Sequence, residues 1–423
     1  MREEDALTPE GRLRPPGFVA ALARELARLR ARPWDMVVLT VLPLAFGALV
    51  AWIFAAGTPR DLPLLVLDAD QSALSRQVAR WIDAAPGVRT LAPGAVPRPR
   101  LTGASGRDEP PCATTDADAC FAVLRAREAF GLVVIPAGFA AAVQTGRNAS
   151  VQLFYNAQFS SHAGAVTQAV RGAVGTLSAG IEIVARQKRG AGAVQAQAQF
   201  EPVRVQLATL FNESLDYELF MGASLLPAQL QIAAMLAAVT AVGRELKDGS
   251  VPRWLAVAGG SWPVALAAKL AVPALAMAVL AGAYVLAFDT GMGYVIRGSA
   301  LAIGAGLALL VAASLAMGVL LVAATLSFRR GLSLVAFYAG AAFAFSGQGF
   351  PLLAMPALPR LWAALVPLTH YLQLHNRHWL AGAPLSYAAG DLAALAAFVA
   401  VGGGIGGWLL ARRADDPSAW GRP

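Results

Sequence analysis

The chain has 423 residues, 57% of them hydrophobic and only 14% charged, where a soluble globular protein carries about a quarter charged residues. Several apolar stretches reach the roughly 20 residues needed to cross a hydrocarbon core of about 30 Å, which excludes a wholly soluble protein and makes this an integral membrane protein. The net charge of +8 does not signal nucleic acid, because the basic residues sit mostly beside apolar runs and no basic-aromatic platform appears.

Residues 1–33 are polar and rich in arginine. Within them "PPGFVAALARELARLRARP" opens on prolines, which suit a first helical turn. Phe18, Leu22, Leu26 and Leu29 fall on one face, with Arg24, Arg28 and Arg30 elsewhere. That pattern predicts an interfacial helix on an anionic leaflet. "MVVLTVLPLAFGALVAWIFAA" (36–56) is the first spanning candidate. Its flank is too long and amphipathic, and its apolar core too long, for a cleaved signal peptide, so an uncleaved anchor is expected.

Residues 57–217 hold no spanning segment and read as a folded α/β domain. "LPLLVLD", "FGLVVIP" and "VQLFYN" carry the strand signal, and "SALSRQVARWIDA" reads as a helix with Ser72 as N-cap. "AGFAAAVQTG" is a helix between strands, and 92–111, loaded with Pro, Gly and Arg, is loop. From about 158 to 200 a proline-free tract predicts one long helical stalk, interrupted near Gly190. The only cysteines, Cys112 and Cys120, are close enough in sequence for a disulfide, which an extracytoplasmic location permits. Asp116 and Asp118 lack the Gly and Glu of a calcium loop and read as a polar loop or helix cap.

Five further spans are expected at 218–242, 263–288, 299–327, 331–347 and 388–411, six in all. With both termini inside, the cytoplasmic segments carry the N-tail arginines, Arg244, Lys247, Arg253, Arg329, Arg330, Arg412 and Arg413. The short outer loops carry only Arg297, Arg360 and Arg377, so this orientation satisfies the positive-inside rule. The fold expected is a polytopic α-helical membrane protein with both termini cytoplasmic and an inserted α/β extracytoplasmic domain on a helical stalk. Its parts are 1–33, tail and interfacial helix; 34–56, first span; 57–217, outer domain; 218–411, five-helix membrane domain; and 412–423, tail. Within the membrane domain lie a cytoplasmic segment at 243–262 and an outer segment at 348–372. The outer segment is crowded with prolines that break a regular span, so it reads as a re-entrant hairpin or short interfacial helices. "GGGIGG" (402–407) has GxxxG spacing, read as close packing within the monomer rather than dimerisation.

No G-x-x-x-x-G-K-[ST] loop, G-x-S-x-G or H-E-x-x-H occurs, so no nucleotide, cofactor or metal is expected on this chain. His370, His375 and His378 read as interfacial histidines beside Trp379 rather than a metal site. Lys269, near the inner end of its span, is expected to snorkel, and Asp391 sits close to the outer end of the last span. Spans this short of charge do not suit a proton- or ion-driven transporter. "GRELKDGSVPRW" (243–254) then stands out. Its charged face is suited to dock on a soluble motor, with Trp254 and Leu255 holding its other face at the interface; otherwise it is a solvated turn.

Four stretches together resemble the membrane permease of ABC type-2 exporters, in the variety with a large extracytoplasmic domain after the first span. They are "VLDADQSALSR" through Asp68, Asp70, Ser72, Ser75 and Arg76, and "LFYN" through Tyr155 and Asn156. The third, through Arg244, Glu245, Gly249, Leu255 and Lys269, looks like the family's coupling segment, which here takes in Lys247, Asp248, Arg253 and Trp254. The last looks like its outer signature, through Gly347, Phe350, Pro351, Met355, Pro356, Pro367 and Thr369. Gly259 departs from a usual proline, and no acidic residue precedes Lys269.

The resemblance implies a dimer with a second permease copy, driven by cytoplasmic ABC ATPase subunits that carry the ATP and Mg. It implies export of a lipidic, drug-like or other amphiphilic substrate through a bacterial inner membrane, with membrane lipids and a periplasmic adaptor as further partners. Glu245→Arg or Gly249→Pro is expected to lose ATPase association. The alternative is a membrane-anchored envelope assembly or scaffold protein that transports nothing.

Overall fold

The computed structural model describes residues 15–54, 61–91, 120, 121, 123, 124, 128–145, 147–155, 160–188, 216, 218–414, 416, 418 and 420. The chain divides into two compact units, one of residues 1–55, 210–212 and 218–423, the other of 56–209 and 213–217.

In the first unit, α1 (Phe18–Ala31) leads into α2 (Pro33–Ile53), which begins on a proline at its first helical position. The bundle continues with α6 (Glu218–Lys247), the short α7 (Val251–Val257), α8 (Trp262–Gly291), α9 (Ala300–Thr325) and, last, α14 (Leu385–Arg413). Among the described residues these five long helices, α2, α6, α8, α9 and α14, are long and apolar enough to cross a membrane. The span expected at 331–347 is not one of them. It forms α10 (Phe328–Gly340) and α11 (Ala342–Phe345), parted at Ala341. Taken together, 328–345 is 18 residues, about 27 Å at 1.5 Å per residue and just short of the core. Gly347, at φ +89°, then turns the chain away.

Backbone contact between helices makes the core. A Cβ on Gly318 of α9 would lie 2.7 Å from the Met235 carbonyl oxygen of α6, so no larger residue fits at that crossing. In α14 the GxxxG pair packs closely against the same helix. A Cβ on Gly402 would come within 3.2 Å of Ala316, and one on Gly406 within 3.0 Å of Leu320 N, both on α9. The motif is spent inside the chain.

The proline-rich outer segment becomes two short helices, α12 (Ala357–Ala364) and α13 (Pro367–His375). Of the two readings, short helices are what forms, but α13 is not interfacial: most of its residues are buried in the bundle. Gln231 of α6 accepts a hydrogen bond from the Leu368 N–H at 2.9 Å, holding the start of α13. Pro367 and Thr369 are buried there, Met355 is buried, and Phe350, Pro351 and Pro356 are exposed.

The second unit is an α/β fold. Its strands β1 (Leu62–Asp68), β2 (Val88–Leu91), β3 (Gly131–Ile135) and β4 (Gln152–Tyr155) form one sheet in the order β2-β1-β3-β4. β1 runs parallel to β2 and β3, and β4 is antiparallel. Helices α3 (Ala73–Asp83), α4 (Phe139–Gln144) and α5 (Ser160–Lys188) complete it. Ser72 caps α3, accepting from Ser75 N at 3.0 Å. Asp70 accepts from Ala140 N at 3.1 Å, capping α4, whose own N-cap Gly138 has no side chain to do so. The first half of α5 is no free stalk: Val166, Ala169, Val170, Ala173 and Leu177 pack with Leu64 and Val133. Cys120 is buried in a second small core with Leu65, Leu67 and Leu132 and is disulfide-bonded. Cys112, Asp116, Asp118, Asn156, the loop at 92–111 and Gly190 lie outside the described residues.

Candidate functional site

Hydrophobicity would place the charges of α1 in water. The structure does so for Arg30 but not for Arg24 and Glu25. Phe18 and Leu26 are exposed, while Arg24 and Glu25 are buried against the C-terminal end of α6 and the first turns of α8. Five charged side chains meet there. Arg24 donates both arms of its guanidinium to Glu245, each at 2.9 Å. Arg28 grips Glu25, with Nε at 3.0 Å. Lys269 donates to Glu25 at 2.6 Å and to Glu245, bridging the two carboxylates. The Ser250 hydroxyl adds a hydrogen bond to Glu245 at 2.5 Å. Trp254 closes the cluster, its ring centroid 5.3 Å from Lys269 Nζ and its ring edge-on to Trp262.

The physics of such a cluster is positional. Coulomb attraction between buried charges is largely offset by their desolvation, so the pairs add little net stability. Stranding one partner is different, and costs about 3–5 kcal/mol. The bidentate Arg24–Glu245 pair also fixes angle as well as distance. The cluster therefore holds α1, α6 and α8 in one relative orientation. A wetter ring surrounds it. Arg244 pairs with Asp35 at the start of α2, and Arg32 with Asp248 at 2.8 Å. The latter two side chains are each more than a third exposed, so their pair is worth little.

Three expectations are corrected here. Lys269 does not snorkel; its side chain is fully buried because two carboxylates meet it inside. Glu245 is not on an accessible face, being 1% exposed. Trp254 is buried in the protein rather than lodged at an interface. What remains accessible is Lys247, Asp248, Pro252, Arg253, Ala256, Gly259 and Gly260, with Gly249 and Leu255 half-buried.

Two glycines shape this surface. Gly249, at φ +63°, makes the left-handed turn between α6 and α7. Gly259 sits at φ +75°, which proline cannot adopt. The acid missing before Lys269 is supplied across space by Glu25 and Glu245. Sequence reasoning missed Glu25, although it is the sole acidic residue of α1.

Several chain ends share this end of the bundle. A Cβ on Gly243 would lie 2.8 Å from the Phe328 ring at the start of α10, and Trp420 lies near Gly249. At the opposite end, Tyr294 bonds Glu218 at 3.2 Å, Trp379 donates to the Tyr294 carbonyl at 2.7 Å, and Arg377 pairs with Asp391 at 2.7 Å. His375 and His378 are buried there, not interfacial. Among the described residues no group of three or more His, Cys, Asp or Glu is placed to hold a metal.

Residues 34–408 match the family described as ABC-2 family transporter protein. No curated protein and no solved structure matches the chain.

Proposed function

The chain belongs to the ABC-2 transporter family, and on that premise we propose that it is the permease subunit of an exporter driven by a separate ABC ATPase. The observation that carries the reading is the buried ion cluster beneath an exposed turn. Lys247, Arg253 and the glycine turn at 259–260 form the surface a motor grips. The cluster behind them makes α1, α6 and α8 move as one body when that surface is pushed. A force transmitter needs this rigidity, because a solvated turn would absorb the displacement.

This end of the bundle faces the cytoplasm in our reading. It carries Arg28, Arg30, Arg32, Lys247, Arg253, Arg329, Arg330, Arg412 and Arg413, as the positive-inside rule asks. Six crossings, with α10 and α11 as the fifth, then bring both termini to that side and the α/β unit to the outside of a bacterial inner membrane. A second permease copy completes the path, with a periplasmic adaptor as a further partner, and an amphiphile suits its apolar walls. ATP and Mg belong to the motor.

The test is association of the solubilised permease with a Walker A-bearing subunit from its host. Lys247→Glu with Arg253→Glu is expected to abolish it in a folded protein. Undiminished association in that variant would overturn the docking role. Recovery of envelope proteins with no ATPase would favour a scaffold.

A further inference from the structure

Helical turns of the π type, bonded from one residue to the fifth beyond it, are rare and frequently mark functional sites. Among the described residues there are four, at Val37–Val41, Glu218–Gly222, Ala287–Gly291 and Asn376–Leu380. The last three open α6, end α8 and follow α13, and they meet at Phe288. A Cβ on Gly222 would lie 3.3 Å from the Phe288 ring, and Trp379 stands edge-on to it with centroids 6.4 Å apart.

The eight residues "MGYVIRGS" (292–299), which join α8 to α9, thread this meeting point. The Tyr294 ring lies 5.8 Å from that of Phe288, and its hydroxyl donates to Glu218 at 3.2 Å. Its carbonyl accepts from the Trp379 indole at 2.7 Å. Arg297 and Gly298 then donate their N–H groups to the carbonyls of Trp379 and His378, at 3.1 and 2.8 Å. A Cβ on Gly298 would stand 2.7 Å from the His378 oxygen, so only glycine permits that approach. One strap touches all three turns.

The two ends of the bundle are held differently. Five interlocked charges hold the inner end. Edge-on and tilted rings, neutral N–H donors and one tyrosine hydroxyl hold the outer end, each individually weak. Gly293, Val295 and Arg297 of the strap are exposed, and exposed backbone with few buried contacts marks the low end of local stability. The start of α13 is held separately, by Gln231.

We propose that residues 292–299 are a releasable strap. It opens as one unit with the π-helical turns at 287–291 and 376–380, so that the outer end of α13 loosens from α6 while the inner cluster stays closed. On the exporter reading given above, this is the end that yields to departing cargo; the strap itself does not depend on any ATPase.

The test is native-state hydrogen exchange of the purified permease, read by mass spectrometry on peptides covering 287–298 and 376–383. Met292 and Ala381 report the two turns, donating to Ala287 and Asn376 at 2.9 and 3.1 Å. In wild type both peptides are expected to exchange through a single opening, with the same denaturant dependence and well before the α9 core around Leu310 and Val311. Tyr294→Phe removes the bond to Glu218 and keeps the ring. It should speed both peptides equally, by roughly fivefold, the effect of one ordinary hydrogen bond, and leave α9 unchanged. Gly298→Ala pushes the strap off His378 and should also speed both together, which keeps the test open if the first variant does not fold. Acceleration of one peptide without the other, or exchange of both only with the whole bundle, overturns the proposal. Failure to capture an ATPase bears on the exporter reading alone.

Discussion

Arg24 and Glu245 lie 221 residues apart in the chain and meet through two parallel hydrogen bonds of 2.9 Å, in a site where Glu245 is 1% exposed. The contact ties the first helix to the end of α6. Glu245→Gln removes the charge that Arg24 and Lys269 both need, and is expected to destabilise the permease by about 3–5 kcal/mol. Arg24→Met combined with Glu245→Leu should recover part of that loss, because Lys269 keeps Glu25. A double-mutant cycle by thermal unfolding in detergent checks both. Additive losses would mean the pair is not coupled.

The turn glycines should tolerate little. Gly249→Ala places a side chain at φ +63° and is expected to cost about 1–2 kcal/mol. Gly259→Pro cannot adopt φ +75° at all, and should uncouple α7 from α8. Reduced hydrogen-exchange protection across 250–262, with the rest of the bundle unaffected, is the expected signature.

Glycines of α14 should divide sharply. Gly406→Leu drives a side chain into the α9 backbone at Leu320, whereas Gly404 has nothing within 4 Å. The first substitution should lower the melting temperature by several degrees and the second leave it alone. Self-association measured by cross-linking should be unchanged by Gly404→Leu. A dimer lost with Gly404→Leu would return the motif to an intermolecular role.

In the α/β unit, Asp83 accepts from the Thr90 hydroxyl at 2.6 Å and from Thr90 N at 2.8 Å, clasping β2. Those bonds, the hydroxyl's foremost, hold its carboxyl below the usual carboxylate range. A depressed folded value means the contribution is present above the unfolded value, about 3.9, and is lost as pH falls through the folded one. Exchange protection at Thr90 should therefore drop on acidification below about pH 4 in the native chain. In Asp83→Asn it should show no such step.

Hydropathy alone settled much of this protein. The apolar runs mark α2, α6, α8, α9 and α14, since chain length against core thickness is a one-dimensional property. Ser72, the β1 run and the α5 tract are legible for the same reason: caps and buried strands are written in neighbouring residues. β2 was not, because four residues including Arg89 and Thr90 carry no pattern, and pairing with β1 makes them a strand.

The site was half legible. The 243–254 segment announced itself by charge, but which of its charges face water did not. Glu245 and Lys269 are buried because Arg24 and Glu25 arrive from α1 to meet them. A helix period cannot tell a charged face turned to solvent from one turned to a partner more than two hundred residues away. Only the tertiary fold supplies the opposite charge, and only that charge makes burial affordable. The same holds for the buried start of α13, which depends on a neighbour in space, Gln231.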